Sequence, residues 1–138
     1  MAEFKIAYLR TAKAEGGYTG DPDDNGNWTG GKKGVGVLVG TNYGITAPEL
    51  KAYLGRMPTA QDMKDLSKST AEKIFKINYW DAFSGDKILN QEKANQIFDM
   101  GVNGGVGTAI ILAKRALGIP ENTVMDQKTI DIINNKFV

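Results

Sequence analysis

A short amphipathic helix directly before a long glycine-rich stretch limits the fold of this chain more than any other feature. Residues 4–18 read FKIAYLRTAKAEGGY. At about 100° per residue, one helical face carries Phe4 and Tyr8 and continues through Thr11 to Glu15. The two glycines that follow favour the left-handed backbone that ends a helix. The segment therefore predicts a helix that ends in a glutamate.

The position of Glu15 favours a carboxyl group that keeps its proton more readily than usual. On the aromatic face it points to the core or to a cleft, at the negative end of the helix dipole. Partial desolvation and this dipole both favour the protonated form, which a general acid needs near neutral pH. A solvated glutamate at a frayed helix end is the alternative, and the spacing alone leaves both interpretations open.

The composition excludes several classes of enzyme. With 138 residues, the chain forms one domain or one domain with two lobes. Its net charge of +1 argues against binding to nucleic acid or to a membrane surface. Cysteine and histidine are both absent, which excludes Ser-His-Asp and Cys-His catalysis and histidine-ligated zinc. We therefore expect no cofactor and no metal, with acid–base chemistry carried by carboxylates, lysines or tyrosines.

The N-terminal residues indicate where the protein is made. The first ten, MAEFKIAYLR, lack the apolar core of a secretory signal. No apolar run approaches the ~20 residues that span a bilayer. We expect a protein that is synthesised in the cytosol and does not insert into a membrane.

Residues 18–40 form a polar, glycine-rich excursion. Its segment 21–26, DPDDNG, is typical of a turn. The same segment matches the first half of a calcium loop, but Lys32 stands where the bidentate glutamate belongs, which favours a structural turn. Asp24 is either a second carboxylate across a cleft or a turn residue that binds its own backbone. Trp28 is either a local staple or a platform for stacking on a sugar.

The rest of the chain predicts a small β region and a helical body. Residues 35–39 and 41–46 alternate as two short strands, with Gly40 at the bend. Helix start and stop signals then recur to the C-terminus, with cap positions at Thr59, Ser69, Asn90 and Asp126 and a stop at Gly55. The predicted fold class is α+β, mostly α.

Five motifs along the chain carry a family resemblance. They are, in order, EGGY, DPDD, TNYGIT, YWD and FDMGVNGG. This series resembles glycoside hydrolase family 108, the lysozyme-like N-acetylmuramidases of phages and bacterial genomes. The resemblance implies a lysozyme-like fold, a helical body with a small β-hairpin or sheet after the first helix, and hydrolysis of peptidoglycan. It also implies Glu15 as the catalytic acid, because EGGY contains the family's catalytic glutamate.

The chain departs from the family pattern in two places. Asn25 replaces a proline, and residues 28–39 are an insertion, so the rim of the cleft is expected to differ. Residues 87–138 resemble a helical peptidoglycan-binding module in which Lys128 and Thr129 remain of a DGxxGPKT-like segment. We therefore predict a catalytic region over residues 1–86 and a C-terminal helical region over 87–138, packed as one globular unit.

The predicted site combines Glu15 with a loop carboxylate and polar or aromatic side chains. Asp24 is the first candidate for the second catalytic group, with Asp21 and Asp23 behind it. For the remaining candidates, the alternative to substrate binding is an ordinary structural role in a strand, a turn, the core or a helix cap. The residues predicted to bind substrate are Tyr18, Thr41, Asn42, Thr46, Trp80 and Asn103.

The predicted function is cleavage of the β-1,4 bond between N-acetylmuramic acid and N-acetylglucosamine, with Glu15 as general acid. Two alternatives stay open: a lytic transglycosylase, and a non-catalytic peptidoglycan-binding or phage structural protein. The expected partner is bacterial peptidoglycan, and the expected state is a monomer. Without a signal, the protein would reach the cell wall by release through a holin or a secretion machine.

Overall fold

The computed structural model of the protein describes residues 1–11 and 17–137, and these residues are mostly helical. No described helix has the length and apolar character needed to cross a membrane. Short 3-10 turns occupy Asn25–Asn27, Asp81–Phe83 and Gly85–Lys87, and a π-helical turn occupies Lys76–Trp80. The α-helices are α1 Phe4–Thr11, α2 Ala47–Leu54, α3 Ala60–Lys64, α4 Lys68–Phe75, α5 Gln91–Gly104, α6 Val106–Leu117 and α7 Gln127–Lys136.

The contacts divide the chain into two units. The first unit comprises Met1–Lys13 and Lys76–Val138, and the second comprises Ala14–Phe75. The first unit therefore combines α1 with the C-terminal helices, and the second contains the glycine-rich excursion with α2 to α4. The catalytic region predicted over residues 1–86 and the C-terminal helical region predicted over 87–138 are functional divisions, and they stay a prediction.

An aromatic cluster forms the core of the first unit. The fully buried Trp80 lies edge-on to its neighbours, with ring centroids 5.8 Å from Phe4, 5.4 Å from Phe83 and 6.1 Å from Phe98. Such edge-to-face pairs add to the free energy of burial. The indole ring also lies against Gly85, where a Cβ would be 2.3 Å from it. Only glycine fits at this position, so the chain passes directly over the tryptophan.

Most helix ends lie where the local signals predict them. Thr59, Asn90 and Asp126 each accept a hydrogen bond from a backbone N–H in the first turn of α3, α5 and α7. Gly55 ends α2 with a left-handed φ of 70°. The cap predicted at Ser69 is wrong, because Ser67 Oγ accepts from the Thr70 N–H at 3.1 Å instead.

The β part of the second unit consists of single bridges between described residues. Trp28 pairs with Leu38, and Thr19 pairs with Thr41. The predicted pairing of 35–39 with 41–46 is therefore wrong in its partners, although a small β region does follow the first helix. The backbone N–H groups of Val39 and Gly40 instead donate to the carbonyl of Asn27, at 2.8 and 2.9 Å.

The TNYGIT segment forms a tight hairpin turn. Tyr43 and Gly44 have φ values of 51° and 78°, and positive φ at both central residues is typical of a type I′ turn. Asn42 and Ile45 exchange both backbone hydrogen bonds, at 3.2 and 2.9 Å. The buried Asn42 amide then donates to the Met63 carbonyl at 2.9 Å, which joins the turn to α3.

Replacement of Trp80 by phenylalanine tests the aromatic core. The change leaves a cavity in the cluster and removes the 2.8 Å hydrogen bond from the indole N–H to Asp86. We expect a loss of about 2–4 kcal/mol in the free energy of unfolding, measured by urea denaturation. Trp28→Phe is the matched control, since this half-buried indole makes one bond to the Pro22 carbonyl. Equal losses for the two variants would contradict a core centred on Trp80.

Candidate functional site

The acidic loop, residues 21–26, is a folded turn built from its own side chains. Asp24 caps the Asn25–Asn27 turn, with its Oδ1 accepting from the Gly26 N–H at 3.0 Å. Asp21 Oδ1 accepts from the Asp23 N–H at 2.9 Å. Asp24 therefore acts as a turn residue that binds its own backbone, one of the two roles predicted for it. The cap uses Oδ1, and Oδ2 has no hydrogen bond to a described residue.

The neighbouring carboxylate, Asp23, has a cationic partner. Lys33 Nζ lies 2.6 Å from Asp23 Oδ1, and both side chains are exposed. The Lys33 backbone N–H also donates to Asn25 Oδ1 at 2.9 Å. Among the three loop aspartates, Asp23 is thus the one whose charge an ion pair with a described residue offsets. This pairing distinguishes Asp23 from Asp21 and Asp24, which form no ion pair with a described residue.

The side chain of Asn27 joins the acidic loop to the TNYGIT segment. Asn27 is completely buried. Its Nδ2 donates to the Asp21 carbonyl at 2.8 Å, and its Oδ1 accepts from Thr41 Oγ1 at 2.6 Å. Because both ends of the amide are used, the acidic loop and the start of the TNYGIT segment are held at a fixed separation.

The backbone of Asn27 connects the same loop to the far end of the insertion. Its N–H donates to the Asp24 carbonyl at 3.1 Å, and its carbonyl accepts from both Val39 and Gly40. Buried polar groups are costly unless they are paired. Asn27 is therefore a positioning residue for the acidic loop. Nothing in the sequence distinguishes it from the other turn-forming residues around it, so the sequence alone did not reveal it.

Trp28 makes the contacts of a local staple. The half-buried indole N–H donates to the Pro22 carbonyl at 2.8 Å, and the residue bridges to Leu38. The tryptophan thus connects the acidic loop to residues 28–39. Sequence reasoning gave equal weight to stapling and to sugar stacking, and the structure shows the stapling contact.

Tyr18 is an exposed aromatic residue of the second unit. Its side chain is 36% exposed, and its hydroxyl donates to the Val39 carbonyl at 3.0 Å. Lys64 Nζ lies 5.3 Å from the ring centroid. A Cβ at Gly40 would be 2.5 Å from the ring, so this glycine is required for the ring to lie against the backbone. The tyrosine is held in place with part of its side chain exposed, and its role in substrate binding stays a prediction.

The remaining candidates of the second unit have structural hydrogen bonds. Thr41 exchanges backbone hydrogen bonds with Thr19 at 2.9 Å, in addition to its bond to Asn27. Thr46 precedes α2, and its Oγ1 donates to Glu49 Oε1 at 2.8 Å. Together with the buried Asn42, these residues shape the second unit, and their roles in substrate binding stay a prediction.

In the first unit, Asn103 lies on the exposed side of α5. Its Nδ2 donates to the Asp99 carbonyl one turn earlier at 2.8 Å, and Asp99 Oδ1 accepts from Thr11 Oγ1 at 3.0 Å. The carboxylate of Glu92, 2.6 Å from Arg10, raises the pKa of this arginine, with a smaller contribution from Asp99. Asn103 thus belongs to a polar surface of α5 that leads to α1.

Two of the predicted site residues, Trp80 and Glu15, are not among the surface side chains described above. Burial of Trp80 in the aromatic cluster favours the core alternative and leaves no ring face for a sugar. Glu15 lies outside the described residues. Among the residues described, no group of three or more acidic side chains is arranged to hold a metal ion.

A comparison with known families identifies the class of protein. The sequence model of glycosyl hydrolase 108 matches residues 8–105. The chain belongs to this family, since the match covers more than half of its length, and its class of activity is that of a glycoside hydrolase. The matched range includes Glu15, the acidic loop and Asn103.

A solved structure supports the fold. The chain is similar to the structure of Brucella abortus SagA, with 27% identity and a TM-score of 0.74 over 96% of this chain and 68% of that one. This similarity confirms the predicted lysozyme-like, mostly α fold. No curated protein sequence gives a significant match.

Replacement of Asn27 by alanine tests its role in holding the loop. The change leaves the Thr41 hydroxyl and the Asp21 carbonyl without their buried partner, so we expect a loss of about 2–4 kcal/mol in the free energy of unfolding. Asn25→Ala is the control, because it removes one exposed acceptor from the same loop and should cost about 1 kcal/mol or less. Urea denaturation of both variants gives the comparison, and similar losses would refute the special role of Asn27.

Proposed function

We propose that the protein is an N-acetylmuramidase that cleaves the β-1,4 bond between N-acetylmuramic acid and N-acetylglucosamine. The family match over residues 8–105, which includes Glu15, carries this proposal. Membership of glycosyl hydrolase family 108 supports peptidoglycan as the substrate. The absence of histidine from the sequence is consistent with chemistry that carboxylates carry out alone.

In the proposed mechanism, Glu15 is the general acid. It donates its proton to the glycosidic oxygen while positive charge develops on the sugar ring. A second carboxylate then stabilises that charge or activates the attacking water from the opposite face. Asp24 stays the first candidate for this role: its Oδ1 accepts from the Gly26 N–H and, unlike Asp23, it forms no ion pair with a described residue.

The proposed site of action is the bacterial cell wall, because the substrate is found there. Release through a holin or a secretion machine is the proposed route to the wall. A monomer is sufficient for the proposed reaction, since both carboxylates belong to one chain.

Replacement of Glu15 by glutamine tests the general acid. We expect the rate of release of soluble fragments from purified peptidoglycan to fall by at least about 100-fold, with unchanged thermal unfolding. Mass spectrometry should find reducing N-acetylmuramic acid ends with the wild type and with the control Glu3→Gln, an exposed glutamate before α1. Anhydro-muramic ends would instead identify a lytic transglycosylase. Wall binding without any release would identify a non-catalytic protein.

A pair of neighbouring variants tests the second carboxylate. Asp24→Asn keeps an oxygen that caps the turn but removes the negative charge, so we expect kcat to fall by about 10²-fold or more. Asp23→Asn removes a charge that Lys33 already offsets, and kcat should stay within about tenfold of wild type. Rates of release of reducing ends from peptidoglycan give both values. The reverse order of effects would assign the role to Asp23.

A further inference from the structure

Residues 28–39 form an ordered, hairpin-like excursion with a basic tip. The Thr29 N–H donates to the Val37 carbonyl at 3.0 Å, and the Val37 N–H donates back to Thr29 Oγ1 at 2.9 Å. Closer to the tip, the Gly30 N–H donates to the Val35 carbonyl at 3.0 Å. These bonds fix the excursion up to its exposed end, where Lys32 lies.

The two lysines at the tip have different electrostatic surroundings. Lys33 is held against the acidic loop through its backbone and through its ion pair with Asp23. Lys32, also exposed, forms no ion pair with a described residue. The excursion therefore presents, beside the ion-paired Lys33, an exposed lysine that forms no ion pair with a described residue.

A shallow depression on α2 adjoins this tip. A Cβ at Gly31 would lie 3.9 Å from the Pro48 side chain, so the backbone next to Lys32 reaches the start of α2. Pro48 also lines the depression. The other lining residues are Lys51, Ala52, Gly55, Arg56 and Met57.

The charges around this depression are mostly positive. Arg56 is engaged by Asp62, with its Nη1 2.8 Å from Oδ2. Lys51 is exposed and, like Lys32, forms no ion pair with a described residue. Two exposed lysines without an ion pair to a described residue thus border apolar surface from Pro48 and from Met57, which is 47% exposed. We call these four residues, Lys32, Pro48, Lys51 and Met57, the basic face.

We propose that the basic face binds the carboxylates of the peptidoglycan stem peptides. This inference rests on the proposed function, because it assumes a peptidoglycan substrate. Amino sugars of the glycan backbone carry no charge apart from the lactyl carboxylate, which an amide bond to the peptide removes in the intact polymer. The negative charge of the substrate therefore lies on the stem peptides, whose carboxylates and alkyl side chains complement lysines beside apolar surface.

Binding of a free stem tetrapeptide tests the basic face without requiring cleavage. The variant Lys32→Gln/Lys51→Gln removes both charges from exposed positions, and the control Lys68→Gln/Lys87→Gln removes two exposed lysines elsewhere. We expect the Kd of the tetrapeptide, from NMR titration, to rise about fivefold in the first variant and to stay unchanged in the control. Added salt should weaken binding to the wild type and narrow this difference.

The outcomes separate this inference from the proposed function. Absence of tetrapeptide binding to the wild type, or equal binding by the two double variants, would overturn the inference. Equal affinity for an inorganic polyphosphate of similar charge would also overturn it, since the face would then bind anions in general. Reducing ends released from whole peptidoglycan by the same preparation report the proposed function alone. If the wild type releases reducing ends but does not bind the peptide, the proposed function stands and the inference is overturned.

Discussion

The second unit depends on one buried amide. Asn27 uses its side chain to hold Asp21 and Thr41, and its carbonyl accepts from Val39 and Gly40. A region with single bridges in place of long strands still has to satisfy its buried backbone groups. Asn27 supplies hydrogen-bond partners for these groups at the point where three loops meet. A fully paired polar group of this kind is rigid, because every alternative arrangement leaves a donor or an acceptor unpaired.

The first unit is stabilised by a different kind of interaction. Its core is an aromatic cluster around Trp80, and its helices begin at side-chain caps such as Asn90 and Asp126. Apolar burial is non-directional, so the cost of a replacement there depends on the volume and packing that are lost. Hydrogen bonds in the second unit require specific partners. Substitutions in the first unit should therefore act mainly on stability, and those around Asn27 should also displace the groups that it positions.

How well the sequence predicted each element depended on whether its determinants are local. The helix ends at Gly55, Asn90 and Asp126 were predictable, because each depends on one cap residue and its own turn. The partners of residues 35–39 were not, since the carbonyl of Asn27 takes the N–H groups that a simple hairpin would have used. Asn27 itself was missed for the same reason. Its importance lies in burial and in partners up to 14 residues away, and neither leaves a local pattern.

The acidic loop illustrates how neighbouring residues can keep several carboxylates close together. Asp21, Asp23 and Asp24 lie within four positions, and like charges this close together repel one another. Backbone N–H groups bind Asp21 and Asp24, and Lys33 pairs with Asp23. That lysine belongs to residues 28–39, the segment identified from the sequence as an insertion. The insertion and the loop are therefore joined twice through Lys33, by its ion pair with Asp23 and by its backbone N–H, which donates to Asn25 Oδ1.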